Sequence, residues 1–249
     1  MGKLLVQHHL VTFELNQVEI LKFFVLALLK YVDNVGCSAE ESPLLIACSS
    51  DRGLCGAIHS SVSKFIKKAV IENPSSQVVV LGDKCKPQIA RGAKKNIIMS
   101  FNQVGKDIPT FTDAIDISER VLAAVQGNSF KAQPNPQIVY NEFKSVIAYE
   151  TVSVTVPSAD NLGKQPKLAA YEYDDDVLRA YSDFLLASKI FSGLVEGHAS
   201  EMSAKRMAME NASKNSDEIV LALTMQYNRT RQAVITNELV DIITGASAL

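Results

Sequence analysis

The chain has 249 residues, of which 47% are hydrophobic, and a formal net charge of -2 at pH 7. This length suits one large domain, or one domain with an extension, and the hydrophobic content is sufficient to bury a core. Because no face of clustered Lys and Arg is evident, the charge argues against a nucleic-acid-binding protein.

The four cysteines do not form a metal or redox motif. They lack C-x-x-C spacing, and no histidines are placed to complete a zinc site. We therefore expect reduced, partly buried thiols in an intracellular or organellar protein, and no cofactor. The cysteines are Cys37, Cys48, Cys55 and Cys85.

Residues 1–42 form the first predicted segment, which we expect to be helical. Its apolar stretch, residues 18–32, is shorter than the ~18 uncharged residues that a membrane span needs, so it predicts a helix buried on most sides. The segment 1–42 does not make a convincing import signal, because the acidic residues Glu14 and Glu19 interrupt it and no arginine precedes Arg52.

Residues 43–166 are predicted to form an α/β domain. Short apolar runs predict strands at residues 44–48, 78–81, 96–101 and 137–140, and a fifth, antiparallel strand is expected within residues 145–156 after a turn at Asn141 and Glu142. Helices are expected at residues 57–72, at residues 86–92, and from Thr110 or Thr112 to about residue 126. Strands that alternate with helices indicate a mostly parallel sheet.

Residues 167–249 are predicted to form a long helical shaft, continuous from about Asp174 through Gly193 and Gly197. Residues 198–244 contain neither proline nor glycine, the residues that stop helices. As one helix they would extend roughly 70 Å. A domain of this size cannot bury such a rod, so part of it must lie in water or inside a partner.

The first half of the rod has the pattern of a solvated helix. Glu201 with Lys205, and Glu210 with Lys214, have the favourable i,i+4 order of opposite charges. On the same half, a ridge of small residues predicts a place where another helix could approach closely. The ridge consists of Ala204, Ala208 and Ala212.

The second half of the rod loses its charges. Between Ile219 and Asn237 the only ionised side chains are those of Arg229 and Arg231. Apolar residues then recur at alternating steps of four and three, the seam spacing of a coiled coil. These are Ile235, Leu239, Ile242, Ala246 and Leu249.

The end of the chain is also uncharged, since residues 242–249 carry no ionised side chain. Chain ends are normally solvated and frayed, so an apolar end favours a socket in another protein. The alternative is an amphipathic helix docked on the chain's own domain.

The loop at residues 51–56 allows two interpretations. It follows a predicted strand and precedes a helix, where an α/β protein would hold a phosphate, but it lacks both the P-loop lysine and the G-x-G-x-x-G pattern. A tight structural turn is the favoured interpretation, in which Asp51 and Arg52 pair locally or face a partner. Cys55 as a nucleophile with His59 as its base, and a metal site at residues 174–176, are weaker alternatives.

Three runs at the C-terminal end resemble the gamma subunit of F-type ATP synthases, mitochondrial branch. They are MAMENASKN at residues 207–215, YNRTRQAVIT at residues 227–236, and ELVDIITGA at residues 238–246. CSSDRGLCGAIHS at residues 48–60, GDK at residues 82–84 and PTF at residues 109–111 resemble the family as well. The resemblance extends over roughly residues 43–249.

The resemblance implies a Rossmann-like sheet domain and a C-terminal helix that in the family forms an antiparallel coiled coil. It implies a non-catalytic rotor of the ATP synthase at the mitochondrial inner membrane, on the matrix side. The implied partners are the alpha and beta subunits, the small central-stalk subunits delta and epsilon, and the c ring. Two other functions stay open on the residues alone: an α/β nucleotide-binding enzyme and a helical adaptor.

The resemblance also assigns site residues, with no catalytic, metal or cofactor residue among them. Matching positions imply three sets: beta-subunit contacts at Arg229, Arg231, Gln232 and Thr236; an apolar bearing tip at Leu239, Ile242, Ile243 and Leu249; and a ring-facing foot at Tyr171 and Glu172.

Residues 1–42 depart from the family, whose members begin with a long basic helix that winds along the C-terminal one. This part contains only Lys3, Lys22 and Lys30 as basic Lys or Arg residues. We therefore expect an atypical or truncated N-terminal region.

Overall fold

A computed structural model describes residues 44–126, 135–163 and 175–247 of the chain. Several predictions lie outside these residues: the N-terminal segment 1–42, Cys37, the foot residues Tyr171 and Glu172, and Leu249 at the tip. The chain divides into two compact units, Met1–Lys205 and Arg206–Leu249.

In the described residues of the first unit, five strands form one sheet in the order β3-β2-β1-β4-β5. Strands β1 to β4 run parallel, and β5 is antiparallel to β4. The strands are β1 (Leu44–Cys48), β2 (Gln77–Leu81), β3 (Ile97–Phe101), β4 (Gln137–Phe143) and β5 (Tyr149–Thr155). The predicted mostly parallel sheet, with an antiparallel fifth strand, is confirmed.

Helices cover both faces of the sheet, which is why every residue of β1 is buried. Alternate strand residues point to opposite faces: Leu45 and Ala47 pack against α1 and α2, whereas Leu44, Ile46 and Cys48 pack against α3 and the first part of α5. The helices are α1 (Ile58–Glu72), α2 (Lys86–Ala93), α3 (Phe111–Gln126), α4 (Ala159–Gly163) and α5 (Asp175–Ser247), and a 3₁₀ turn (Lys94–Asn96) follows α2.

The turn predicted at Asn141 and Glu142 is wrong. Both residues lie in β4, opposite Thr151 and Glu150 of β5. The chain reverses further along, where the backbone amide of Ala148 donates to the carbonyl of Ser145 at 3.2 Å. Asn141 favours turns in general because its amide competes for backbone partners, but here burial and side-chain partners hold it in the strand.

Helix α5 is continuous over 73 residues and contains Gly193 and Gly197, as predicted. Gly193 permits a close approach to the sheet. A Cβ atom at this position would lie 3.4 Å from Cys48 Sγ, from Ile138 Cγ2 and from Tyr140 Cδ1. The helix therefore packs directly on β1 and β4.

The prediction that the rod is solvated from its start is wrong for residues 198–203. Glu201 and Ser203 are only 3% and 5% exposed, and Ser200 is completely buried. This turn of α5 packs at the carboxyl ends of β1 and β4, so the hydroxyls of Ser200 and Ser203 bond to the domain and not to water. No helix in the described ranges is long and apolar enough to cross a membrane.

Candidate functional site

In the second unit, the whole of α5 from residue 209 to residue 247 is exposed. At about 1.5 Å per residue, the helix from Arg206 to Ser247 is roughly 60 Å long. Large apolar side chains stand open to water along it, which marks a surface for association. They include Ile219 (59% exposed), Leu221 (65%), Met225 (69%), Tyr227 (64%), Leu239 (54%), Ile242 (71%) and Ile243 (57%).

The charges on this surface are concentrated near its beginning. Lys214 Nζ lies 3.0 Å from Glu210 Oε1, so the predicted i,i+4 pair is confirmed. This ion pair lowers the pKa of Glu210. Further along, Arg229 and Arg231 form no ion pair with any residue that the structure describes.

Threonine hydroxyls on the exposed helix are turned back onto its own backbone. Thr236 donates to the carbonyl of Gln232 at 2.8 Å, and Thr224, Thr230 and Thr244 donate to the carbonyls four residues before them. Thr236 can therefore only accept a further hydrogen bond from a partner, since its proton is already used.

The predicted beta-contact residues are all exposed, but they do not share one face of the helix. Arg229, Gln232 and Thr236 follow i, i+3, i+7 spacing and line one side. Arg231 lies two residues from Arg229, about 200° around the axis at 3.6 residues per turn. A partner that contacts both arginines must enclose the helix or meet them at different times.

The loop between β1 and α1 is held in place by hydrogen bonds of its own side chains. The carboxylate of Asp51 accepts hydrogen bonds from the backbone amides of Asp83 at 2.5 Å and Gln103 at 2.6 Å. Arg52 donates to the carbonyl of Lys106 through Nε at 3.0 Å. Asp51 and Arg52 thus bond to backbone groups far along the chain, and their contacts hold neighbouring loops.

Cys55 and His59 do not form a nucleophile and base pair. The thiol of Cys55 donates to the carbonyl of Gly53 at 3.1 Å and lies 3.6 Å from Glu201 Oε1. Burial and the adjacent Glu201 carboxylate raise the pKa of Cys55 to about 12, so the nucleophilic thiolate is strongly disfavoured. His59 is held elsewhere, by Ser49 Oγ and the Arg52 carbonyl, each at 3.0 Å.

A crevice lies at the carboxyl ends of β1 and β4, where the strand order reverses and open α/β sheets commonly bind ligands. In this chain α5 fills most of it: Leu194, Gly197, His198 and Glu201 line a remaining cavity of about 30 Å³. That volume accommodates roughly two water molecules. Within the described ranges, no group of His, Cys, Asp and Glu side chains is arranged to hold a metal.

His198 is a titratable group beside this cavity whose pKa is strongly shifted. It is 5% exposed, and neither ring nitrogen has a hydrogen-bond partner among the described residues. Burial, assisted by the charge of Arg52, lowers its pKa to about 4.

Asn141 is a buried residue whose hydrogen bonds the sequence analysis did not predict. Its Nδ2 donates to the carbonyl of Ile58 at 3.1 Å, and its Oδ1 accepts from Ser61 at 3.1 Å and Thr151 at 2.7 Å. Its backbone carbonyl accepts from Ser200 Oγ of α5 at 3.0 Å. No local signal marks this role, because three of the four partners, Ile58, Ser61 and Ser200, come from distant parts of the chain.

Comparison with known proteins gives consistent matches. A family model described as ATP synthase matches residues 19–249, beginning before the residue 43 expected from the motifs. Mitochondrial ATP synthase subunit gamma of Pichia angusta is 44% identical over 211 residues, covering 84% of this chain and 76% of the relative. The Drosophila melanogaster subunit is 45% identical, covering 85% and 70%, and the rat subunit 40% identical, covering 90% and 82%.

Solved structures share the fold. A chain of the Tetrahymena thermophila mitochondrial ATP synthase central stalk and c ring superposes with a TM-score of 0.66 at 23% identity, covering 84% of this chain and 96% of the other. A chain of the Euglena gracilis mitochondrial ATP synthase gives 0.72 at 17% identity, covering 99% and 94%.

Proposed function

The chain belongs to the family of ATP synthase gamma subunits, and from that membership we propose that it is the central-stalk rotor of a proton-driven ATP synthase. It couples rotation of the membrane c ring to conformational change in the catalytic hexamer of alpha and beta subunits. The chain itself is not catalytic. It works at the mitochondrial inner membrane, on the matrix side.

The observation that carries this proposal is the exposed, charge-poor length of α5. A shaft that turns inside a sleeve should avoid fixed ion pairs, since a well-made buried pair is costly to break at each step. From Ile219 to Asn237 the helix presents apolar side chains and only two ionised groups, Arg229 and Arg231. Their guanidinium groups can donate hydrogen bonds to different acceptors as the helix turns.

Individual residues take the roles that the family resemblance implies. Arg229, Arg231, Gln232 and Thr236 contact the beta subunits, and the opposite directions of the two arginines suit a sleeve that surrounds the helix. Leu239, Ile242, Ile243 and Leu249 form the apolar tip held in the hexamer's bearing. Tyr171 and Glu172 face the c ring, and the small central-stalk subunits delta and epsilon complete the rotor.

The loop at residues 51–56 has a structural role under this proposal. The Asp51 carboxylate already accepts two backbone amides, and α5 occupies the crevice where a nucleotide would lie. These contacts speak against the nucleotide-binding enzyme. A helical adaptor differs from the rotor only in its partner. Assembly of the chain with alpha and beta subunits therefore distinguishes these two functions.

Assembly of the chain with alpha and beta subunits tests the proposal. The unaltered chain should copurify with them in a complex of fixed stoichiometry. Deletion of residues 242–249 should weaken this assembly, because it removes the tip's apolar contacts, while the α/β domain keeps its cooperative melting transition. A full-length chain that folds but never joins the catalytic subunits contradicts the proposal; loss of melting in the deletion variant shows that the tip belongs to the core.

A further inference from the structure

Helix α5 is fastened to the α/β domain by hydrogen bonds from two serines. Ser200 Oγ donates to the carbonyl of Asn141 at 3.0 Å, and Ser203 Oγ donates to the carbonyl of Val146 at 2.5 Å. The serines are three residues apart, so they lie on one side of the helix. Their acceptors belong to β4 and to the turn that follows it.

A second set of contacts holds a different side of the helical turn of α5 that contains these serines. The thiol of Cys55 lies 3.6 Å from Glu201 Oε1, and Arg52 Nη1 lies 3.7 Å from Met202 Sδ. Both partners come from the loop after β1. Glu201 follows Ser200 by one residue, about 100° around the helix axis. The helix is therefore gripped from two directions by two separate parts of the domain.

These polar contacts differ in kind from the apolar packing beside them. The close packing of Ile190, Leu194 and Val195 in the core opposes rotation of the helix by steric contact, whereas apolar burial itself has no directional preference. Hydrogen bonds weaken steeply when their angle or distance changes. A rotation in either sense moves the serines away from their acceptors or Glu201 away from the Cys55 thiol, leaving buried polar groups unpaired.

We propose that Ser200, Ser203 and the Cys55–Glu201 contact form a torsional key that fixes the rotational setting of α5 in the domain. The inference rests on the proposed function, because only a rotor needs a shaft that cannot turn within its own base. Asn141 supports the key: its side chain is bonded to α1 and β5, which immobilises the carbonyl that Ser200 grips. The keyed turn lies shortly before Arg206, where the second unit begins.

The test measures coupling in the assembled ATP synthase, reconstituted in vesicles, with the S200A/S203A variant. ATP hydrolysis by the complex should stay near the level of the unaltered enzyme, because the catalytic subunits are unchanged. ATP-driven proton pumping per ATP hydrolysed should fall several-fold, because the helix slips within its base under load. A merely stabilising role would leave this ratio unchanged.

The matched control is S118A. Ser118 is also buried, but its hydroxyl donates to the Ile115 carbonyl within its own helix and joins no second element of the part of the chain that the structure describes. This variant should keep the ratio of pumping to hydrolysis. If the double variant does not assemble, the same ratio is measured for S203A, which retains the Ser200 bond.

The key is overturned if the assembled S200A/S203A complex shows an unchanged ratio of proton pumping to ATP hydrolysis. The same holds for the S203A complex where it replaces the double variant. An S118A complex that uncouples equally also overturns it, since the effect would then follow any loss of a buried hydroxyl. These outcomes leave the proposed function intact. Failure of the unaltered chain to join the catalytic subunits is the different result that overturns the proposed function.

Discussion

At the scale of single residues, burial of the His198 ring is unfavourable for the stability of the domain. Its ring is buried beside Arg52 with both nitrogens unpartnered among the described residues, so the imidazole stays neutral. Burying a polar group without a partner costs roughly 1–3 kcal/mol. The helix turn around it supplies compensating hydrogen bonds through Ser200 and Ser203.

His198 should make the domain sensitive to acid. Its pKa is about 4 in the folded chain against 6.5 in the unfolded one, so the unfolded chain binds more protons between these values. The His198 contribution to the free energy of unfolding is intact above pH 6.5 and decreases as the pH falls towards 4. At 1.36 kcal/mol per pKa unit, the loss totals roughly 3 kcal/mol.

Denaturant unfolding of the unaltered chain and of H198L at pH 7.5 and at pH 5 measures this contribution. Leucine removes both nitrogens, so H198L should be more stable at pH 7.5 and should lose less stability on acidification. The comparison between the two chains cancels the titration of the carboxylates. Equal pH dependence in the two chains contradicts the prediction.

Arg231 and Gln232 are the residues for which coupling can be tested on the exposed helix. Both are exposed, and replacing them with alanine should remove the hydrogen bonds that we propose they make to the beta subunits, worth on the order of 1–3 kcal/mol where a charge is involved. Assembly should survive while the rate of ATP turnover falls, because we propose that the bonds form only in some rotary states.

The matched control for R231A/Q232A is K214A, which removes a charge from the same exposed helix outside the predicted contact set. The measurement is ATP turnover of purified complexes of equal subunit composition. Unchanged turnover in R231A/Q232A complexes would remove these residues from the mechanism.

At the scale of elements, two glycines in α5 have different roles. Gly193 allows contact with the sheet, since a Cβ there would lie 3.4 Å from three side-chain atoms, whereas a Cβ at Gly197 would meet nothing within 4 Å. Glycine inside a helix is less favourable than alanine by about 1 kcal/mol. Close packing therefore explains a glycine at position 193, but it does not explain the glycine at position 197.

G197A should therefore stabilise the chain by up to about 1 kcal/mol, and G193A should gain less or lose stability because its neighbours must give way. The two variants are matched controls for each other, as they lie one turn apart in one helix. Thermal or denaturant unfolding measures the difference. A larger gain for G193A than for G197A would show that α5 does not pack on β1 and β4 as described.

At the scale of the whole molecule, the exposed apolar length of α5 needs a partner. The isolated chain should self-associate, because large side chains from Ile219 to Ile243 stand in water. Sedimentation velocity over a range of concentrations measures this. A variant with L221Q, L239Q and I242Q should stay monomeric at concentrations where the unaltered chain associates. A monomeric unaltered chain with slow amide exchange throughout this region would show that the helix is covered.

The sequence alone was sufficient for the periodic elements and for the family. Strand β1 is a continuous apolar run, and helix α5 lacks breakers from residue 198 to residue 244; both patterns depend only on neighbouring residues. The motifs at residues 48–60 and 207–246 identified the family without any knowledge of contacts. The length of this breaker-free run likewise indicated that part of α5 lies outside the core, and residues 209–247 are exposed.

Only the tertiary structure decided what the polar residues around the crevice do. Asn141 suggests a turn and Glu201 a solvated helix when each is judged by its neighbours, yet both are buried. Their partners are far away in sequence: Ile58 for the side chain of Asn141, and Cys55 for Glu201. Local propensity is worth tenths of a kcal/mol per residue, whereas an unpaired buried polar group costs several times more. The long-range contacts therefore override the local preference, and no periodicity in the sequence reveals them.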